Sequence, residues 1–215
     1  LQGLLNLVQQ DPSIAVEPEK IKSIHITAYE PAFGIIGDPA KRDPKTRQSA
    51  DHSMVYIVSA MLRKAQDVAK QEGEGFFNQH NDEIWKRLML TPYDFDVDAI
   101  FHPTSRAIME TISFEHGGKE YDDKYPDGIP TSMKITLVDG TVLDSGFVMY
   151  PAGHARNTTA NLNDILVEKF KMHGEIAMDD PSGVIQNCMG VAELDSGGVQ
   201  NLWNFEIADR PVYRD

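Results

Sequence analysis

Two side chains capable of acid–base chemistry stand four residues apart in the segment SADHSMVYIVSAML. They are His52 and Tyr56, and a helix would place residues with this spacing on the same side. An imidazole and a phenol held together there could move protons to and from a bound substrate. Arg63 extends the same stripe with a guanidinium that could hold a carboxylate. The candidate catalytic residues are therefore His52 and Tyr56, and Arg63 is a candidate substrate-binding residue.

A second group with possible chemistry follows a predicted strand in the segment YPAGHAR. Gly153 favours a turn there, and the turn presents the imidazole of His154 beside the guanidinium of Arg156. Loops that follow strand ends often carry binding sites. Gly153, His154 and Arg156 are therefore further candidate substrate-binding residues.

Both groups also have a simpler explanation. A polar stripe on an amphipathic helix usually faces water, and a histidine after a glycine turn is often merely exposed. Spacing alone therefore leaves open a non-catalytic α+β interaction module in place of an enzyme.

The elements that must position these residues follow from hydrophobic periodicity. Ile24, Ile26 and Ala28 alternate with polar residues, which predicts a half-buried strand. A hairpin is predicted with its turn at Asp139 and Gly140 and a returning strand over 142–150. Helical spacing predicts helices over residues 49–71, 79–89, 162–173 and 182–194. The fold class expected is α+β, with a small antiparallel sheet covered by helices.

Other segments are predicted to lie between or beyond these elements. Residues 116–130 are rich in Gly, Pro and charge, which indicates an exposed loop and an insertion. The acids of residues 94–98 are expected to be solvated, and Trp203 and Phe205 are expected to anchor the tail by packing. Residues 1–17 have helical apolar spacing and no signal-peptide pattern, which predicts the tail of a helix from a preceding domain, with residues 18–215 forming the α+β domain.

Composition excludes several classes of protein. The chain has 215 residues with 33 acidic and 20 basic side chains, a formal net charge of −13, which argues against a nucleic-acid partner. No apolar run is long enough to cross a membrane. Cys188 is the single cysteine, so an internal disulfide and a zinc site of cysteines are both excluded, and a reducing intracellular compartment is expected. The alternating acids of residues 94–98 lack the glycine of a calcium loop, and no metal site is predicted.

Taken together, the two polar groups resemble a known family. The order Ser-Ala-Asp-His-Ser-x-x-Tyr-Ile-Val-Ser-Ala-Met-Leu, then Asp-Gly-Thr and Tyr-Pro-x-Gly-His-Ala-Arg, then DILVEKFK, is similar to the carboxy-terminal part of the 2-methylcitrate dehydratase (MmgE/PrpD) family. The resemblance covers about residues 21–171. His52 and Tyr56 match the family's Asp-His-x-x-x-Tyr helix, and His154 and Arg156 match its Gly-His-x-Arg turn.

The resemblance implies a two-domain enzyme without a cofactor. Its amino-terminal domain is all helical, its smaller α+β domain acts as a lid, and the site between them dehydrates the tricarboxylic acid 2-methylcitrate to 2-methyl-aconitate. The family also contains cis-aconitate decarboxylases, which remain an alternative. The resemblance further implies a homodimer and, for these 215 residues without the helical domain, no activity.

Two departures from the family pattern affect these expectations. Asn157 stands where a basic run is expected, which weakens the assignment of a carboxylate contact there. The loop over residues 116–130 is long and indicates a eukaryotic member. The resemblance then implies the mitochondrial matrix, and otherwise the cytoplasm.

Overall fold

The sheet has four strands and is mixed. The computed structural model describes residues 1–209. The strands are β1 (Ile21–Ala28), β2 (Ile112–His116), β3 (Thr131–Leu137) and β4 (Val142–Asp144), in the order β2-β1-β3-β4. β1 pairs antiparallel with β3, and β3 pairs antiparallel with β4, but β1 and β2 are parallel. The predicted α+β class is confirmed. The expectation of an all-antiparallel sheet is wrong, because a long helical crossover returns the chain in the same direction.

One face of the sheet is buried and the other is largely polar. Ile24 and Ile26 of β1 lie opposite Ile135 and Met133 of β3, and all four side chains are buried. His25 points to the other face. This alternation confirms the period-two prediction, and burial of the apolar face is the main stabilising term for the sheet.

Helices cover the buried face of the sheet and connect its strands. They are α1 (Gln2–Gln10), α2 (Ser13–Val16), α3 (Arg47–Ala50), α4 (Met54–Glu72), α5 (Asn81–Leu88), α6 (Val97–Ile100), α7 (Pro103–Glu110), α8 (Lys119–Asp122), α9 (Leu162–Gly174), α10 (Ser182–Met189) and α11 (Ser196–Asn201). Short 3₁₀ turns occur at Pro18–Lys20, Pro39–Lys41, Glu74–Asn78, Pro92–Phe95 and Val191–Glu193, and a π-helical turn at Ala32–Ile36.

The central helix α4 begins later than its sequence pattern predicts. Thr46 and Ser49 form a capping box at the start of the short helix α3, which ends at Ala50. Ser53 then caps α4 by accepting a hydrogen bond from the Tyr56 N–H. The prediction of one helix over 49–71 is therefore wrong at its start, because residues 51–53 are not helical and separate α3 from α4.

Residues 1–17 pack into the same core as the sheet. Leu4, Leu5 and Leu7 of α1 are fully buried and belong to the hydrophobic cluster that contains Ile24 and Ile135. The domain boundary predicted at residue 17 stays a prediction, but in the part of the chain described here this segment shares its apolar contacts with the α+β unit.

The hairpin forms around the predicted turn but returns as a shorter strand. Gly140 has φ of 91°, a conformation that glycine adopts without strain. Strand β4 ends at Asp144, and Gly146, with φ of 68°, turns the chain. Val148 then pairs with Thr131 in an isolated bridge and carries the chain toward the candidate turn at residues 150–156. The predicted strand over 142–150 is therefore interrupted.

The carboxy-terminal helices agree only in part with the sequence pattern. Helix α9 ends one residue after its predicted end, but α10 ends at Met189, well before residue 194. The side chain of Trp203 is 71 % exposed, so the prediction that it anchors the tail by packing is wrong for the contacts of residues 1–209.

Candidate functional site

The turn after Tyr150 is held in one conformation by its own hydrogen bonds. The His154 N–H donates to the Pro151 carbonyl at 2.8 Å, and the Asn157 side-chain amide donates to the Tyr150 carbonyl at 2.7 Å. The Arg156 N–H donates to Nδ1 of His154 at 3.1 Å. This last bond requires Nδ1 to be unprotonated, so the imidazole has its proton, when neutral, on Nε2. The turn thus brings together His154 and Arg156, as the sequence predicts.

Gly153 has no steric role at this turn. A Cβ built on it would meet no atom within 4 Å. The small residue leaves the surface open beside His154, but nothing in the packing of the described chain requires glycine there.

Arg156 lies in a cluster that includes an acid from the loop over residues 116–130. Its Nη1 donates to the Asp127 carboxylate, and the Tyr150 hydroxyl donates to the other oxygen of that carboxylate at 2.9 Å. These bonds, first from Tyr150 and then from Arg156, hold the pKa of Asp127 below its usual range. The Tyr150 ring packs against the His154 ring, with 4.9 Å between centroids. The cluster is exposed, with the Arg156 side chain 57 % accessible.

A cleft opens beside Arg156 and extends toward the first helix. It has a volume of about 360 Å³, and its lining residues come from α1, the start of α5, the segment after β4 and the turn described above. Gln2 lines this cleft, and hydrogen bonds hold its side chain in place. Its Oε1 accepts hydrogen bonds from the Trp85 indole and from the Ala152 N–H, both at 3.1 Å. Three separate stretches of the chain are therefore joined at one side chain.

His52 lies away from these residues, in the break between α3 and α4. Its Nδ1 contacts the Asp51 carboxylate and lies 3.1 Å from the Gln48 carbonyl, and its side chain is 65 % exposed. Because it precedes the N-cap of α4, it does not share a helical face with Tyr56. The prediction that the two side chains face the same way is wrong.

Tyr56 is buried, and its hydroxyl is hydrogen-bonded to another residue of the protein. The hydroxyl donates to the main-chain carbonyl of Asp94, and the residue has no exposed surface. Burial raises the pKa of Tyr56 to about 12. A phenol with this pKa and this partner holds its proton firmly, so the arrangement supports a structural role and gives no path to a ligand.

Arg63 lies beside Tyr56 and is directed at an acid of the protein. Its Nη2 is 3.7 Å from the Asp94 carboxylate. The same carboxylate accepts hydrogen bonds from Lys64 Nζ at 2.9 Å and from the Thr91 N–H at 2.7 Å. The Asp94 side chain is only 14 % exposed. The expectation that the acids of residues 94–98 are solvated is therefore wrong for Asp94, and Arg63 lies with Tyr56 in a partly buried cluster around Asp94.

The predicted site residues thus fall into three places. Tyr56 and Arg63 meet at Asp94, His154 and Arg156 meet at Asp127, and His52 is separate. Among residues 1–209, no hydrogen bond or ion pair connects these three groups. The sequence did not single out Asp127, because a lone acid in a charged loop has no distinguishing pattern.

The part of the chain that the structure describes offers neither a metal-binding cluster nor a membrane-spanning helix. The described residues contain no cluster of three His, Cys, Asp or Glu side chains that could hold a metal ion. Within the same residues, no helix has both the length and the apolar character required to span a bilayer.

This chain is similar to known proteins over most of its length. The model of the MmgE/PrpD C-terminal domain matches residues 1–119, more than half of the chain. The chain therefore belongs to the MmgE/PrpD family. The matched range contains His52, Tyr56 and Arg63, and the turn with His154 and Arg156 follows it.

Two curated relatives carry related names. The chain is 29 % identical over 201 residues to "2-methylcitrate dehydratase, mitochondrial" of Yarrowia lipolytica, which covers 92 % of this chain and 32 % of that protein. It is 42 % identical over 53 residues to "2-methylcitrate dehydratase" of Cupriavidus necator, which covers 25 % of this chain and 11 % of the relative. The chain thus spans about a third of the length of the Yarrowia lipolytica protein.

Proposed function

We propose that this chain is the carboxy-terminal domain of a cofactor-free dehydratase that converts 2-methylcitrate to 2-methyl-aconitate. Membership of the MmgE/PrpD family and the names of the two relatives support this proposal. The structural observation that carries it is the turn that holds the half-buried His154 beside the exposed Arg156, and Arg156 lines an open cleft. The rest of the site then belongs to a helical domain that precedes this one.

The chemistry of dehydration explains why such a pair is useful. A proton leaves a carbon next to a carboxylate, the electrons form the carbon–carbon double bond, and the hydroxyl group departs with a proton as water. Negative charge accumulates on the carboxylate as the C–H bond breaks, so a cation bound there lowers the barrier. Arg156 supplies that cation, and His154, with its proton on Nε2, can donate to a second oxygen of the substrate. The base that removes the proton comes from the helical domain.

Location and assembly form part of the same proposal. The Yarrowia lipolytica relative is named as mitochondrial, which supports a mitochondrial location for this chain if its source is a eukaryote. The family resemblance supports a homodimer.

A chimera tests the proposed reaction. The aligned third of the Yarrowia lipolytica relative is replaced by this chain, and the ultraviolet absorbance of the unsaturated product is followed with 2-methylcitrate as substrate. We expect activity from the chimera and none from the 215 residues alone. Arg156→Gln in the chimera should lower kcat/KM roughly 10- to 100-fold, because a charged hydrogen bond to the substrate is lost. Arg87→Gln, which removes an exposed arginine paired with Glu72, is the matched control and should change little.

The other outcomes assign the alternatives. Activity of the isolated chain would contradict the need for a helical domain. Release of carbon dioxide from cis-aconitate, without dehydration of 2-methylcitrate, would identify a decarboxylase. A folded chimera that does neither would favour a non-catalytic interaction module.

A further inference from the structure

A serine, a histidine and a glutamate form a chain of hydrogen bonds on the polar face of the sheet. Ser113 Oγ lies 3.0 Å from Nδ1 of His25, and Nε2 of His25 lies 3.0 Å from a carboxylate oxygen of Glu115. His25 belongs to β1, and Ser113 and Glu115 belong to β2. These three side chains take no part in the cleft or in the groups around Asp94 and Asp127.

The register of two neighbouring strands places the three side chains together. His25 is the register partner of Ser113 in the parallel pair of β1 and β2, and Glu115 lies two residues further along β2. Residues two apart in a strand project to the same face, so Ser113 and Glu115 both lie on the side of the sheet to which His25 points. Because the backbones of both strands are fixed by the sheet, the arrangement rests on rigid elements.

The hydrogen bonds also fix where the protons lie. An ionised Glu115 carboxylate only accepts hydrogen bonds, so the neutral imidazole of His25 has its proton on Nε2 and a lone pair on Nδ1. Nδ1 therefore accepts from the Ser113 hydroxyl, whose second acceptor, the Ile24 carbonyl, is more distant at 3.3 Å. A hydroxyl bonded to a histidine that a third group orients is the arrangement that activates a serine as a nucleophile, whichever ring nitrogen has which role.

Solvent access at this face decides which substrates can react. The side chains of His25 and Glu115 are 40 % and 65 % exposed, and Ser113 is exposed. A small molecule can therefore reach Ser113 Oγ without a rearrangement of the sheet. An open face lacks the water-excluded surroundings that strengthen transition-state stabilisation. The substrate class that fits is a small activated ester, because its good leaving group needs little further assistance.

We propose that Ser113 is a nucleophile that hydrolyses small activated esters, with His25 as its base and Glu115 as a positioning residue. Ser113 Oγ bonds to the ester carbonyl carbon while its proton passes to Nδ1 of His25. The ester C–O bond then breaks, and the alcohol leaves with that proton. Water attacks the acyl-serine, one of its protons passes through His25 to Ser113 Oγ, and the carboxylic acid is released. This activity is separate from the proposed dehydration and does not depend on it.

Covalent labelling of the 215-residue chain with an alkyl fluorophosphonate tests the proposal. This reagent forms a P–O bond to an activated serine and releases fluoride, and mass spectrometry of peptides locates the label. We expect the label on Ser113. His25→Gln removes the base and should lower the labelling rate at least about 10-fold. Glu115→Gln keeps an acceptor but removes the charge, and should lower the rate roughly 3- to 10-fold. Ser23→Ala, which removes another hydroxyl from β1, is the matched control and should change nothing.

Hydrolysis of p-nitrophenyl acetate, followed by the absorbance of p-nitrophenolate, gives the second measurement. We expect the rate to fall to that of the buffer in Ser113→Ala and to be unchanged in Ser23→Ala. Circular dichroism checks the fold of each variant, and His25→Asn replaces His25→Gln if the latter is disturbed. The proposal is overturned if the label is absent from Ser113 or spread evenly over several serines. Equal labelling of the folded His25 variant, or hydrolysis that persists in Ser113→Ala, would overturn it as well.

Discussion

Two clusters in this protein contain the same three residue types in different surroundings. One joins Tyr56, Arg63 and Asp94, and the other joins Tyr150, Arg156 and Asp127. In the first cluster the side chains of Asp94 and Arg63 are 14 % and 15 % exposed, and in the second the side chains of Asp127 and Arg156 are 55 % and 57 % exposed. The two clusters therefore contain the same kinds of side chain and differ in how far solvent reaches those side chains.

The difference in solvent exposure decides which of the two clusters can act on a ligand. Around Asp94, the Tyr56 hydroxyl is used by a main-chain carbonyl, and Lys64 and Thr91 complete the bonding of the carboxylate. Such a cluster holds the segment after α5 against α4. Around Asp127, the arginine retains free donors beside an open cleft. The first cluster is suited to stability and the second to binding.

The largest expected effect on stability comes from Asp94, at the centre of the less exposed cluster. Asp94→Ala leaves Arg63 and Lys64 without their carboxylate partner at a place where their side chains are only 15 % and 21 % exposed, so water compensates little. We expect the free energy of unfolding to fall by about 3 kcal/mol, measured by urea denaturation. Asp127→Ala is the matched control, and its unfolding midpoint should equal that of the unchanged chain within error, because exposed ion pairs add little. Equal losses from the two variants would remove the distinction between the clusters.

A smaller effect is expected from the hydroxyl of Tyr56. Tyr56→Phe keeps the ring in the core and removes one hydrogen bond to the Asp94 carbonyl, which should lower the free energy of unfolding by about 1 kcal/mol. In the active chimera, kcat should remain within about twofold of the starting value. Tyr150→Phe serves as the control on the exposed side and should leave stability unchanged. A loss of kcat of about 100-fold in Tyr56→Phe would instead assign this phenol to proton transfer.

The last expected effect appears only at alkaline pH. Burial raises the pKa of Tyr56 to about 12 in the folded protein, above its ordinary value of 10.0. The unfolded chain therefore loses this proton first, so stability from Tyr56 is full below pH 10 and declines as pH rises toward about 12. The difference in unfolding free energy between the unchanged chain and Tyr56→Phe should shrink across this range. A constant difference would mean that Tyr56 ionises with its ordinary pKa.

Much of the fold was predictable because local pattern and burial agree there. The alternation around Ile24 and the turn at Gly140 were placed correctly, and so were most residues of α4. The pairing of His154 with Arg156 was also anticipated, since residues two apart in a turn remain close whatever the rest of the chain does. Local geometry alone decides such features.

Other features depended on contacts between distant residues. The break before α4 places His52 in solvent and Tyr56 in the core, and the helical spacing gave no sign of it. The mixed sheet depends on the position of β2 beside β1. The first residue of β2, at position 112, lies 84 residues after the last residue of β1, at position 28.

The amino-acid sequence by itself determined the family motifs, the α+β class and the types of residue that could do chemistry. The tertiary structure alone decided which of those residues meet solvent. Burial and partners depend on segments far apart in the chain, such as Asp94 for Tyr56 and Asp127 for Arg156, and a side chain can bind a ligand only where the fold leaves its polar atoms unused.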